Sequence, residues 1–261
     1  MLRTRIFALL GLVCIAVLAG ACCPWFETGT IRTESRSHEL GGAQSASVDI
    51  RMGAGKLVVG AGASGIVDAD FTYNISSWKP EVSYRVSDGR GYLTVEQPSV
   101  GSTSLGRNAR YEWTVRLNGE LPLDLKVSLG AGESRLDLRD LMVNDLQITT
   151  GAGKAEIDVP ARSLTRLEMN AGVGDASVNL LGDWKNNLKA TMRAGVGAIT
   201  LRLPRETAVK VKVTGALGKV NANGFRIVDD AYVNDAYGKS AVTLDVAITG
   251  AVGSVTLELG E

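Results

Sequence analysis

Few side chains in this sequence have the type and spacing to do chemistry. Cys14, Cys22 and Cys23 are its three cysteines. All lie in or beside an apolar N-terminal run, so the chain beyond them has no internal disulfide, thiol nucleophile or cysteine metal ligand. His38, the only histidine, falls in a polar stretch without periodicity. A linker histidine needs no partner there, whereas a general base needs one on a rigid scaffold. Neither a Ser-His-Asp relay nor a histidine metal cluster is expected. Asp229 and Asp230 form the obvious carboxylate pair, but neighbours in an extended strand point to opposite faces, which suits paired acid–base work poorly. The remaining acids have no spacing that requires a hard cation. No cofactor, no metal and no catalytic residue is expected.

The one side chain with a specific expected modification is Cys22. Arg3 and Arg5 precede an apolar run from Ile6 to Ala19, followed by Gly20-Ala21-Cys22. Basic, apolar and then small residues are the order of a secretory signal, and the run is short for a spanning helix. A cysteine at the cleavage boundary is similar to a bacterial lipoprotein signal, whose thiol is lipidated. Ala19 departs from that pattern, which prefers leucine there; the alternatives are ordinary cleavage nearby and an uncleaved anchor. Residues 1–21 are thus read as a signal peptide, and residues 22–43, polar and without strand or helix period, as a tether. The expected location is outside the cytoplasm, on the cell membrane or outer membrane, held by the lipid.

The elements that would position any site announce themselves through glycine. Gly-x-Gly recurs at Gly53-Ala54-Gly55, Gly130-Ala131-Gly132, Gly151-Ala152-Gly153, Gly172-Val173-Gly174 and Gly195-Val196-Gly197, with variants at Gly215-Ala216-Leu217-Gly218 and Gly250-Ala251-Val252-Gly253. From Gly132 to Gly218 the last glycines recur about every 21 residues, and a gap of about 35 leads to Gly253. Alternating apolar residues follow most marks, as in Ser134, Leu136, Leu138 and Ala155, Ile157, Val159. Another alternating pair precedes each, as in Leu125 and Val127 or Leu146 and Ile148. Each unit therefore reads as two short strands joined at a glycine corner, one face buried and one wet. No helical pattern or Gly-Lys-Ser/Thr ending follows a corner, so phosphate cradling is excluded and the glycines are structural. Units this small bury their apolar side only by stacking. The expected fold is all-β, a parallel, right-handed β-helix-like solenoid over residues 130–261, with a distinct N-terminal cap or subdomain over 44–129. A face-to-face sandwich is the competing architecture. In the cap, Gly89-Arg90-Gly91 keeps the corner offsets, and Tyr73, Trp78, Tyr84, Tyr92, Tyr111 and Trp113 cluster, as packing or as a ligand groove.

Between Gly218 and Gly253 the repeat is interrupted, and such excursions often carry binding contacts. Tyr232, Asn234, Asp235 and Tyr237 are its candidate interaction residues. Composition narrows the partners further. The chain of 261 residues has 28 Lys+Arg against 28 Asp+Glu, with 31 glycines and only 5% aromatic residues. Such neutrality argues against a nucleic-acid surface.

The stretch Ser47-Val48-Asp49-Ile50-Arg51-Met52-Gly53-Ala54-Gly55-Lys56-Leu57-Val58-Val59, with Asp68-Ala69-Asp70-Phe71-Thr72-Tyr73-Asn74 and Pro80-Glu81-Val82-Ser83-Tyr84, resembles the N-terminal part of the bacterial toast-rack domain family. The later Gly-x-Gly coils resemble that family's β-helical body, so the resemblance spans about residues 44 to 261. It implies kinship with the C-terminal domain of cell-envelope stress regulators and with adhesin-like domains, and it carries over no catalytic residue. The expected function is non-enzymatic: an envelope protein presenting a rigid solenoid for contact with a protein or the cell wall, in envelope stress response or adhesion. An envelope glycan-active enzyme and a purely architectural spacer are the alternatives.

Overall fold

The computed structural model describes residues 29–98, 108–215 and 217–260. Cys22, and with it the signal and lipidation readings, lies outside them. Among the described residues the chain is all-β apart from one 3-10 turn at Ser76–Trp78. Its first half holds β1 (Arg32–His38), β2 (Ser45–Ala61), β3 (Val67–Tyr73), β4 (Glu81–Ser87), β5 (Arg90–Glu96) and β6 (Tyr111–Leu117). Four long strands follow: β7 (Leu123–Asp137), β8 (Val143–Asp158), β9 (Arg166–Asn179) and β10 (Leu188–Pro204). The chain ends with β11 (Ala208–Thr214), β12 (Leu217–Asn221), β13 (Arg226–Val228), β14 (Ala231–Val233) and β15 (Thr243–Gly260).

Each long strand is two arms joined at a glycine corner. In β7 the buried positions are Leu123, Leu125, Val127 and Leu129 before the corner, and Ser134 and Leu136 after it. The alternation changes phase by one residue, so both arms aim their apolar side chains into a common core. That core is one hydrophobic cluster running from Ala46 to Leu257. Strands β2, β7, β8, β9 and β10 stack in parallel and in register, so that Gly55, Gly132, Gly153 and Gly174 lie side by side. The reason for glycine is contact between backbones. At Gly153 φ is +132°, and a Cβ there would lie 1.8 Å from the Gly132 carbonyl oxygen. Only a residue without a Cβ lets two corners approach to strand spacing.

The sheet as a whole is mixed, which corrects the expectation of a uniformly parallel solenoid. At the N-terminal end β1 pairs antiparallel with β3, β3 with β6, and β4 with β5; at the other end β11 pairs antiparallel with β14, and β14 with β13. A parallel neighbour requires a long crossover, whereas an exposed end is covered at once by a chain that doubles back. Two local readings change with it. Arg32–His38, read as tether, is strand β1, paired along its length with β3. Gly89-Arg90-Gly91, read as a corner, belongs instead to a hairpin: Asp88 and Gly89, at φ 52° and 72°, form the two-residue turn between β4 and β5.

Strand order also departs from chain order. β15 lies between β10 on one side and β11 and β12 on the other. The coil marked by Gly218 therefore stacks on the one marked by Gly253, not on the one marked by Gly197. The long gap before Gly253 is the path by which the chain returns to fill that place.

Candidate contact surfaces

The interrupted coil is built from a hairpin and a clamp. Asp229 and Asp230, at φ 47° and 59°, form the two-residue turn between β13 and β14. They are left-handed turn residues rather than members of an extended strand, with a backbone that asparagine and glycine adopt more easily. Tyr232, in β14, is half-buried and pairs with Val211 of β11. Asp235 is exposed and Tyr237 half-buried, in the turn that follows.

Asn234 is only 1% exposed, which corrects its expected place on a contact surface. Its Nδ2 donates to the carbonyl oxygens of Pro204 (3.1 Å), Arg205 (3.2 Å) and Thr207 (2.7 Å). Its Oδ1 accepts from the Val209 amide at 3.0 Å. Every one of these groups belongs to the β10–β11 connection or its exit, a segment too short to pair its own polar groups, and an asparagine side chain supplies both donors and acceptor. Tyr232, Asp235 and Tyr237 remain at the surface; Asn234 is a structural clamp.

Most aromatic residues of the first half pack in the core. Trp113, Phe71, Tyr73, Trp78 and Tyr111 are all buried. Phe71 and Trp113 meet edge-to-face at 5.3 Å, as do Trp78 and Tyr111 at 5.2 Å. Tyr111 Oη donates to the Trp78 carbonyl at 2.6 Å, and burial pushes its pKa up. Tyr73 Oη donates to Glu34 Oε1 at 2.5 Å. That bond is the main cause holding the Glu34 carboxyl below its usual value, while burial first and Glu34 second push Tyr73 up. Tyr84 donates to the Leu40 carbonyl at 2.7 Å, and Tyr92 is the exposed member, with the Arg85 guanidinium 4.1 Å above its ring. His38 ends β1 with its ring 6.0 Å from Tyr84.

A surface that the sequence reading did not isolate runs along the corner. The middle residues of the glycine pairs form one column in register: Ala54, Ala131, Ala152, Val173, Val196, Val252 and Leu217. From Val173 onward they are large and open, at 59%, 52%, 49% and 71% exposure in the order given. Glycines beside them carry no side chain to screen them, so four aliphatic groups stand on adjacent strands as a ridge. The signal was present in the sequence as the change from Ala to Val and Leu at the middle position.

Beside the ridge, the outward column of the second arm alternates in charge through Glu112, Lys56, Glu133, Lys154 and Asp175. A separate groove of about 610 Å³ lies on the connections between coils, lined by Arg139, Asp140, Met142, Arg162, Leu181 and Asp183. Two of its charged groups are paired: Arg139 holds Asp137 at 2.7 Å, and Lys185 holds Asp183 at 2.7 Å and keeps that carboxyl below its usual value. Among the described residues no cluster of three or more His, Cys, Asp or Glu has the geometry to hold a metal, and no helix is long and apolar enough to cross a membrane.

Fold and surface together define an all-β scaffold of stacked, glycine-cornered coils. The chain belongs to the family described as the N-terminal domain of toast_rack, which it matches over residues 27–163 and 145–202. A solved structure from Clostridium sporogenes, of a protein whose name assigns it to cell adhesion, is 29% identical with a TM-score of 0.67, covering 88% of this chain and 100% of its own. A protein from Bacteroides fragilis, named as an adhesin, is 11% identical with a TM-score of 0.33 over 87% of this chain and 97% of its own, too distant to carry an argument. Among curated proteins none matches the chain.

Proposed function

We propose that this protein is a non-enzymatic, extracytoplasmic scaffold, anchored to the membrane through lipidated Cys22, that presents its stacked β-helical body for contact with a protein partner in the cell envelope. The observation that carries the reading is the aliphatic ridge Val173, Val196, Val252 and Leu217. Apolar side chains repeated in register on a rigid stack form a surface whose burial against a partner is favourable. The likeness to the Clostridium sporogenes protein named for cell adhesion supports a contact role.

Crosslinking in intact cells tests this reading. The full chain is expected to capture the same envelope protein repeatedly, and the double variant Val196→Ser/Leu217→Ser is expected to lose it while remaining folded. Failure to recover any reproducible partner would leave a spacer instead. The anchor has its own test: Cys22→Ala is expected to release the protein from the membrane fraction and abolish fatty-acid labelling.

A further inference from the structure

Near the N-terminal end, on the outer face of the first arms, three rows of side chains cross β4, β5 and β2 in register. One row is Arg85, Tyr92 and Ser47; the next is Ser83, Thr94 and Asp49; the third is Glu81, Glu96 and Arg51. Their neighbours Leu93, Val95, Val48 and Ile50 are buried, so strand alternation turns these rows outward. The middle row is short, while Arg85 and Tyr92 stand tall on one side of it and Glu96 and Arg51 on the other. Between them lies a trough of about 430 Å³, with Ser83, Thr94 and Asp49 along its floor and Arg85 and Tyr92 in its wall. On the far side Arg51 Nη2 holds a Glu96 carboxylate oxygen at 3.1 Å. Over β8 to β10 the same face is occupied differently, by long side chains paired across the strands: Arg166 with Asp145, and Arg193 with Glu168.

The groups in the trough have capacity to spare. Among the described residues no carboxylate lies within 4 Å of the exposed Arg85 guanidinium, which rests instead over one face of the Tyr92 ring, 4.1 Å from its centroid. The opposite ring face looks along the row towards Ser47, a residue too short to cover it. Asp49 Oδ1 accepts no hydrogen bond from the described residues. Its Oδ2 lies 3.6 Å from Arg51 Nε, beyond hydrogen-bond reach. A sheltered carboxylate without a donor is an interaction left open.

We propose that this trough binds a saccharide carrying a carboxylate, of the uronic acid class. A pyranose has C–H faces that pack on an aromatic ring, and a rim of hydroxyls that both donate and accept. Tyr92 offers the ring face, the Ser83 and Thr94 hydroxyls take either role, and Asp49 Oδ2 accepts from a sugar hydroxyl. The Arg85 guanidinium pairs with the sugar carboxylate, and its stacking on Tyr92 holds the planar fork in place beforehand. A floor of hydroxyls and a carboxylate offers an apolar side chain nothing, so the occupant is not the protein partner of the aliphatic ridge. Trough and ridge lie on different faces, and the inference is independent of the contact reading.

Titration of the isotope-labelled full chain, followed by nuclear magnetic resonance, tests it with methyl β-D-glucuronide and with methyl β-D-glucoside, which has a hydroxymethyl group in place of the carboxylate. The glucuronide is expected to shift the amides of Asp49, Ser83, Tyr92 and Thr94 saturably, and the glucoside to bind at least about tenfold more weakly. Arg85→Gln is expected to bring the glucuronide down to the level of the glucoside, and Thr94→Val to weaken both sugars alike. Both variants change surface side chains, and unchanged resonances elsewhere in the chain confirm that each is folded. No saturable shift up to about 50 mM glucuronide would overturn the proposal. Sodium acetate producing the same shifts at the same concentration would also overturn it, by reducing the trough to a simple anion site, and either result leaves the ridge untouched.

Discussion

From Leu123 to Pro204 the molecule repeats itself, while at either end it relies on particular side chains. In the repeated middle, coils meet backbone to backbone at glycine corners and stack aliphatic side chains inside, with Leu125, Leu146 and Leu167 in one column. At the N-terminal end an aromatic cluster and three antiparallel pairings close the stack. At the C-terminal end a hairpin and one buried asparagine do so. The difference teaches that stacking propagates from geometry common to every coil, whereas terminating the stack requires interactions made once.

The largest expected effect breaks the middle. Gly153→Ala puts a Cβ 1.8 Å from the Gly132 carbonyl oxygen in a left-handed backbone. It should cost more than about 4 kcal/mol, or prevent folding, in urea titration. Gly238→Ala, also left-handed but with nothing within 4 Å of its Cβ, should cost only about 1–2 kcal/mol. Near-equal losses would mean that backbone conformation, not corner contact, is what glycine supplies.

Next in size is the clamp at the C-terminal end. Asn234→Ala leaves three carbonyls and one amide of the β10–β11 connection without their partner. About 3 kcal/mol should be lost in the same titration.

At the N-terminal end the expected effect depends on pH. Glu34 has a lowered pKa, chiefly through Tyr73, so the stability it lends is present above the ordinary carboxylate pKa and is lost as pH falls through the lowered one. Tyr73 has a raised pKa, so its contribution is present below about pH 10 and is lost as pH rises further. Tyr73→Phe should cost about 1 kcal/mol at neutral pH, and the deficit should shrink as pH drops below about 4. Asp70 and Asp137, lowered by other partners, keep part of the acid sensitivity in the variant.

The smallest effect is a gain. Asp230→Gly relieves a left-handed residue in the β13–β14 turn and should stabilise by about 0.5–1 kcal/mol in thermal unfolding.

The same contrast explains what could be read from residues alone. The corners, their interval and the inward leucines were legible because each rule was stated several times over. The antiparallel ends were not, because β1 carries little apolar alternation: of Arg32–His38 only Glu34 and His38 are even half-buried. The Asp88-Gly89 hairpin was hidden because Gly89-Arg90-Gly91, with Tyr84 and Val86 before it and Leu93 and Val95 after it, mimics a corner. Asn234 was singled out for the right loop and the wrong reason, since a polar residue in an excursion looks exposed until its four backbone partners are seen. The place of β15 could not be read at all, because two coils of the chain have the same corner and only packing decides between them.

Hydrogen exchange along the full chain tests the intercalated C-terminal strand most directly. A strand paired on both sides is expected to keep its amides as slowly exchanging as those of β8, from Thr243 to Thr256 as from Val143 to Asp158. Exchange of that last segment at the rate of a fraying terminus would contradict the strand order on which the account rests.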